Sequence, residues 1–90
     1  MIHDKLAKLI TVLTPTELRF SRLDKDVYII VLGIDFSNTS YQAGAILDFK
    51  NRTLTPISPI AWNYAKPTKL HEAMSEVFNL RLIDTSTKQT

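Results

Sequence analysis

The stretch VYIIVLGIDF, Val27 to Phe36, limits the folds open to this chain more than any other feature. Read with a period of two, one side carries Val27, Ile29 and Val31, and the other carries Tyr28, Ile30, Leu32, Ile34 and Phe36. A half-buried strand alternates apolar with polar residues, whereas one that is apolar on both sides needs cover on both. The run therefore belongs at the centre of a sheet, with a helical layer on one face and some other cover on the second. Its unbroken apolar part, Val27 to Ile34, includes Gly33 and falls far short of the roughly 20 residues a helix needs to cross a bilayer.

The flanking segments supply one layer. Ile2, Leu6, Leu9, Ile10 and Leu13 recur at helical spacing with Asp4, Lys5, Lys8 and Thr11 turned away. This helix should stop near Leu13, because Pro15 disfavours helical geometry at Thr14. Residues 15–23 carry two readings. Thr14, Pro15 and Glu17 form a capping-box pattern that would open a short helix through Arg22. Leu18 and Phe20, however, alternate with Arg19 and Ser21 and lead into the polar turn Asp24, Lys25, Asp26, which reads as the first arm of a hairpin and is favoured.

Beyond the central strand, Ser37 to Ser40 is a polar turn, Tyr41 to Phe49 a strand, and Lys50, Asn51 and Arg52 a tight connection to a strand over Leu54 to Ile57. Pro56 cannot donate to a ladder, so that strand is expected at an edge. Pro59 to Lys66 is irregular and aromatic. A second amphipathic helix begins at Pro67 or Thr68, places Leu70, Met74, Val77, Phe78 and the stem of Arg81 on one face, and has Asn79 as its natural end. Leu80 to Asp84 would add a last short strand, and Thr85 to Thr90 has the composition of a frayed tail.

These elements sum to an α+β two-layer sandwich: an N-terminal helix, a three- to four-stranded antiparallel meander and a C-terminal helix. Residues 1–84 form one small domain and 85–90 a flexible tail. Ninety residues allow a single core. With both helices on one side, the second apolar face of the central strand lacks cover, and pairing of two copies through that face or an open edge would supply it, making a homodimer.

The chain has no cysteine, which excludes a disulfide framework, a thiolate zinc site and a thiol nucleophile and fits a reducing compartment. MIHDKLAKLI lacks the features of a signal peptide, so a cytoplasmic setting with no membrane association is expected. The net charge of +2 comes from interspersed residues, so any nucleic-acid footprint has to be assembled by folding.

One stretch has the character of a motif. In VLGIDFSNTS, Val31 to Ser40, an acidic residue ends an apolar strand behind a glycine and is followed by a small polar turn. That arrangement resembles the first hairpin of the RNase H-like superfamily, and most of all the RuvC-type junction resolvases. It is also loosely similar to the phosphate-binding hairpin of the actin, sugar-kinase and heat-shock ATPase group. The resemblance covers about 20 residues and implies that Asp35 would hold a divalent metal, with a strand at Leu80 to Ile83 bringing Asp84 beside it as a second hard ligand. Asp35 is otherwise read as an aspartate capping a turn with its side chain. His71 and Glu72 open like a zinc-protease helix, but Ser75 stands where the second histidine belongs, and His71 is read as a surface residue of a first helical turn. His3 and Asp4 sit on the opening helix, where a metal role would need further ligands that the sequence does not single out. No Ser-His-Asp order or glycine-rich loop occurs, so no enzyme and no cofactor are expected.

Two function classes remain. The favoured one is a small protein-binding module, an inhibitor or accessory protein of the kind phages and plasmids encode, that contacts another protein and itself through a sheet edge or an aromatic surface. Trp62 and Tyr64, with Lys66 beside them, are its candidate anchors, and the competing role for Trp62 is a lid folded back over the open sheet face. The alternative is a nucleic-acid-associated protein using Arg19, Lys50, Arg52 and Lys69, with Asp35 and Asp84 as its metal ligands in the sharpest form.

Overall fold

In the computed structural model residues 2–84 are described. The element order is α1 (Ile2–Leu13), β1 (Glu17–Asp24), β2 (Val27–Phe36), β3 (Thr39–Asp48), β4 (Thr53–Ile57), α2 (Lys69–Phe78) and β5 (Arg81–Leu82). The strands form one sheet in the order β1-β2-β3-β4-β5, antiparallel throughout except that β5 pairs parallel to β4. This is the α+β sandwich expected, with one more strand than the meander required. The proposed tail, 85–90, lies outside the described residues. Among the described residues no helix is long and apolar enough to cross a membrane.

Residues 15–23 resolve in favour of the strand. α1 ends where Thr14 enters the left-handed region at φ 45° and donates its N–H to the Ile10 carbonyl at 2.8 Å. Thr16 N–H then bonds the Gly33 carbonyl at 2.8 Å, and β1 zips onto β2 from Glu17↔Gly33 to Arg22↔Tyr28. The local capping pattern loses because the whole free edge of β2 is available for pairing. The β2–β3 turn is narrower than the sequence implied. Ser37 and Asn38, at φ 51° and 64°, form a two-residue hairpin loop of the kind that matches strand twist.

Both helices pack on the face made by the even-numbered residues of β2. Leu9 of α1 and Met74 and Phe78 of α2 close over Ile30, Leu32, Ala43, Ala45, Leu47 and Leu54. At one end of this layer Phe20 stacks on Tyr28 with ring centroids 5.0 Å apart, and Phe49 meets Phe78 edge to face at 6.0 Å, tying β1, β2, the β3–β4 turn and α2 together.

α2 ends in a left-handed Asn79, with Leu80 N–H reaching the Ser75 carbonyl at 2.9 Å, the pattern that closes a helix and reverses the chain. That reversal puts Arg81 in β5 rather than on the helix face. β5 covers only Thr53 and Leu54 of β4. The edge expected for this strand is thus not found: β5 lies outside its first half, and past the reach of β5 the Pro56 carbonyl accepts the Ala65 N–H at 3.2 Å and Ile57 bridges Tyr64.

Candidate functional site

The odd-numbered residues of β2 point away from both helices, and the register defines this second face row by row. Asp35 lies opposite Ser40, and the next row is Glu17, Gly33, Gln42. The central rows are Arg19, Val31, Gly44, Ile57 and then Ser21, Ile29, Ile46, Thr55. The last row is Asp24, Val27, Asp48, Thr53, Arg81. The middle of the face is thus apolar and its two ends carry charges of both signs, Arg81 sharing the row of Asp24 and Asp48 and Arg19 pairing with Glu17.

Gly44 shapes the centre. A Cβ there would stand 3.0 Å from Ile57 Cγ1 and 3.2 Å from the Ile57 carbonyl oxygen. The absent side chain lets Ile57 lie against the sheet beside Val31, which is only 7% exposed although no helix covers it. Gly33 in the next row is less constrained, since a Cβ there would come no nearer than 3.4 Å to Glu17; in that row Gln42 Nε2 donates to Glu17 Oε1 at 3.4 Å.

The Pro59–Lys66 segment is less irregular than its sequence implied. Ser58 N–H donates to the Asn63 carbonyl and Trp62 N–H to the Ser58 carbonyl, both at 2.8 Å, and Ile57 and Tyr64 form an antiparallel bridge. The segment is a tight loop folded back along the outer half of β4. Trp62 sits in the left-handed region at φ 57°, a conformation costly for a residue with a Cβ. Trp62 and Tyr64, with Asn63, line a groove of about 460 Å³ together with Ile29, Ile46 and Ile57. Trp62 is 59% exposed, Tyr64 69% and Ile60 84%. Trp62 therefore borders the open face rather than closing over it as a lid.

Behind the loop, His71 holds the start of α2 to the sheet. The Thr68 N–H donates to His71 Nδ1 at 3.0 Å, with the Thr68 hydroxyl at the same distance. A ring nitrogen that accepts from an N–H carries a lone pair, so the proton is on Nε2, which donates to the Gly44 carbonyl at 2.8 Å. The imidazole is neutral and 2% exposed, and burial pushes its pKa below 6.5, with the Gly44 bond opposing the shift. The expected surface histidine is thus a buried clamp. Its partner lies 27 residues away, at the end of the β3–β4 ladder, which a local reading of the helix could not reveal.

The other sequence candidates are spread out. Lys66 lines a groove with Ser40, Gln42 and Ile60, beside the Asp35 and Glu17 rows of the open face. Arg19 is on the open face, 3.3 Å from Glu17, while Lys50 and Arg52 are in the β3–β4 turn at the far end of the strands. Lys69 begins α2 and lines a groove in the helix layer with Ile34, Phe36 and Tyr41. Only Lys50 and Arg52, in one turn, are neighbours, and the four cations do not converge on one surface.

Asp35 does not cap the turn. It accepts a hydrogen bond from Ser40 Oγ across the β2–β3 pair at 2.8 Å. Nor does the sheet order bring Asp84 to it, because β5 lies three strand spacings from β2, about 14 Å laterally. Among the described residues no group of three or more His, Asp or Glu side chains is placed to hold a metal. His3 and Asp4 are exposed on α1. Asp48 is a turn residue, its Oδ1 accepting from the N–H groups of Lys50 and Asn51 at 3.0 and 3.1 Å; the Asn51 bonds foremost lower its pKa from 3.8.

No family model, no curated protein and no solved structure matches the chain.

Proposed function

We propose that this chain is a small protein-binding module without catalytic machinery, and that it docks through the uncovered face of the sheet with the Trp62–Tyr64 loop as its rim. One observation carries the reading. The helix layer fills one side of β2, whereas on the other Ile29, Ile46 and Ile57 line a groove walled by Trp62 and Tyr64, both mostly exposed. An apolar floor beside large aromatic side chains is the usual composition of a protein-binding hot spot. The hydrogen-bonded loop holds the backbone that carries those rings before a partner arrives, which reduces the ordering cost of binding. A cytoplasmic setting, the one a cysteine-free chain fits, belongs to the same proposal. The nucleic-acid reading has less support, since Arg19, Lys50, Arg52 and Lys69 do not converge.

The test is a photo-crosslinking amino acid installed at position 62 and, separately, at Lys8 on the outer side of α1, in the cells that make the protein. A discrete adduct from position 62 that is absent from position 8 is the expected result. Its mass separates a foreign protein from a second copy of this chain. No adduct, or the same adducts from both positions, would overturn the proposal.

A further inference from the structure

β1 ends the sheet, and its outer backbone is set out in a definite pattern. The Phe49 N–H donates to the Asp26 carbonyl at 2.9 Å and the Thr16 N–H to the Gly33 carbonyl at 2.8 Å. Even-numbered residues of β2 therefore turn their backbone groups to β3, and odd-numbered ones turn theirs to β1. Glu17, Arg19 and Ser21 stand opposite Gly33, Val31 and Ile29 and take those bonds. The N–H and C=O groups of Leu18, Phe20 and Arg22 point outward, with no strand beyond them among the described residues. The usual devices that blunt a sheet edge are weak here. Residues 17–22 include no proline and no lysine, and the bulge falls after Arg22. The Arg22 guanidinium is held by the Asp24 and Lys25 carbonyls, each at 3.1 Å, and Arg19 is paired with Glu17. On the helix side Leu18 and Phe20 are only half-buried, at the margin of the core.

A second copy of the same edge fits this one in one register. A two-fold axis that sets two β1 strands antiparallel stands perpendicular to the sheet, so both helix layers fall on one side and facing residues share a side. Each such register is centred on a residue that faces itself. Centring on Arg19 sets arginine on arginine, which is destabilising. Centring on Glu17 or Leu18 runs past the start of β1, and centring on Ser21 or beyond carries the pairing across the bulge. Centring on Phe20 avoids all three. Phe20 then faces Phe20, and Leu18 faces Arg22 on either side of it. Each of these facing pairs can exchange two N–H···O bonds through the outward groups. The remaining surface of Leu18 and Phe20 is covered. On the other side of the sheet Arg19 faces Ser21, and the two Arg19 side chains lie diagonally across the axis, each beside the Glu17 of its own chain.

We infer that the β1 edge is the contact between two copies of this chain, joined antiparallel about Phe20 so that their sheets become one. The Trp62 loop lies against β4, toward the opposite margin of the sheet, so this contact is separate from the groove and leaves it open.

Ser21 is exposed and reads the register by charge. Ser21→Glu sets a carboxylate opposite Arg19 of the second copy, twice by symmetry, and Ser21→Lys sets an ammonium there. Sedimentation equilibrium on a dilution series into the millimolar range should show a mass of two chains that falls to one on dilution. Ser21→Glu should tighten this dimer and Ser21→Lys weaken it, each by roughly threefold to tenfold, with circular dichroism unchanged. A register centred on Arg19 would reverse that order, because Ser21 would face Glu17, and one centred on Ser21 would weaken both variants. Either result refutes the Phe20 register. The mass of one chain at every concentration, or a dimer indifferent to both variants, overturns the contact itself. Trp62→Gly should leave the dimer unchanged, whereas its loss would move the contact to the open face and overturn the inference while leaving that face a docking surface. The chain has no cysteine, so Arg19→Cys combined with Ser21→Cys gives an independent check. Oxidation should yield a covalent species of two chains, since these residues face each other at the closer, non-hydrogen-bonded positions, and its absence likewise counts against the register.

Discussion

His71 offers the sharpest test of how this fold is held. Replacing it with alanine removes the donor to the Gly44 carbonyl and the acceptor for the Thr68 N–H at once. Thr68 is exposed, so its N–H recovers water, but Gly44 is buried and its carbonyl loses a partner outright. An orphaned buried polar group costs about 1–3 kcal/mol, and the space left by the ring adds to that, for a total of about 2–4 kcal/mol. In a domain of this size each kcal/mol moves Tm by about 4–8 °C, so a fall of about 8–32 °C is expected. His71→Gln can still accept the Thr68 N–H and should fall between the two.

The pH dependence identifies the group. The folded-state pKa of His71 is depressed below 6.5, so the folded form binds fewer protons than the unfolded chain between its lowered value and 6.5. The stability it contributes is complete above 6.5 and is lost as pH falls through that window, at up to about 1.4 kcal/mol per pH unit. Asp48 acts in a separate range. Its carboxyl is lowered, so its contribution is present above 3.8 and is lost as pH falls below that value. Urea unfolding of the parent and His71→Ala at intervals from pH 7.5 to 4.5 therefore isolates the histidine. The parent should weaken steadily below about pH 6.5 while the variant loses this component. Parallel profiles would refute the assignment of a neutral, buried His71.

Gly44→Ala should destabilise the fold by about 1–3 kcal/mol by urea unfolding, because the new methyl meets Ile57 at 3.0 Å and the backbone at 3.2 Å; an unchanged midpoint would mean that Ile57 does not lie against the sheet there. Ile30→Asp, which buries an unpaired charge under the helix layer, should abolish folding by circular dichroism, whereas Asp35→Ala, losing one exposed bond to Ser40, should be mild. Trp62→Gly should leave Tm unchanged or raised, because glycine adopts positive φ without cost, while eliminating binding at the groove; a large loss of stability would mark Trp62 as part of the core instead.

Periodicity located α1, β2 and the apolar face of α2, because each buries a continuous stripe that repeats over several turns or residues. It could not decide residues 15–23. Thr14, Pro15 and Glu17 carry a genuine local helix signal, and what outweighs it is the unpaired edge of β2, a partner defined only after folding. β5 escaped the antiparallel expectation for a related reason. Two residues have no period, and their direction follows from the tight reversal at Asn79, which returns the chain parallel to β4. The site was legible in its residues but not in its arrangement. Trp62 and Tyr64 stand out by composition, whereas the groove beside them depends on Gly44 and Ile57 meeting across β3 and β4. The charged ends of the face, with Arg81 beside the Asp24 and Asp48 row, emerge only when all five strands are set in register.

The two sides of the sheet end very differently. On the β4 side, β5 covers Thr53 and Leu54, and the bridge from Tyr64 occupies Ile57, while β1 leaves its whole outer backbone unpaired from Glu17 to Asp24. Polymerisation of a sheet protein requires every copy to offer two edges, one to join and one to pass on. Beyond the residues already covered, strand-length pairing is offered among the described residues by β1 alone. Edge-to-edge contact between copies would consume that edge in both, and the product would stop at two instead of growing into a fibre.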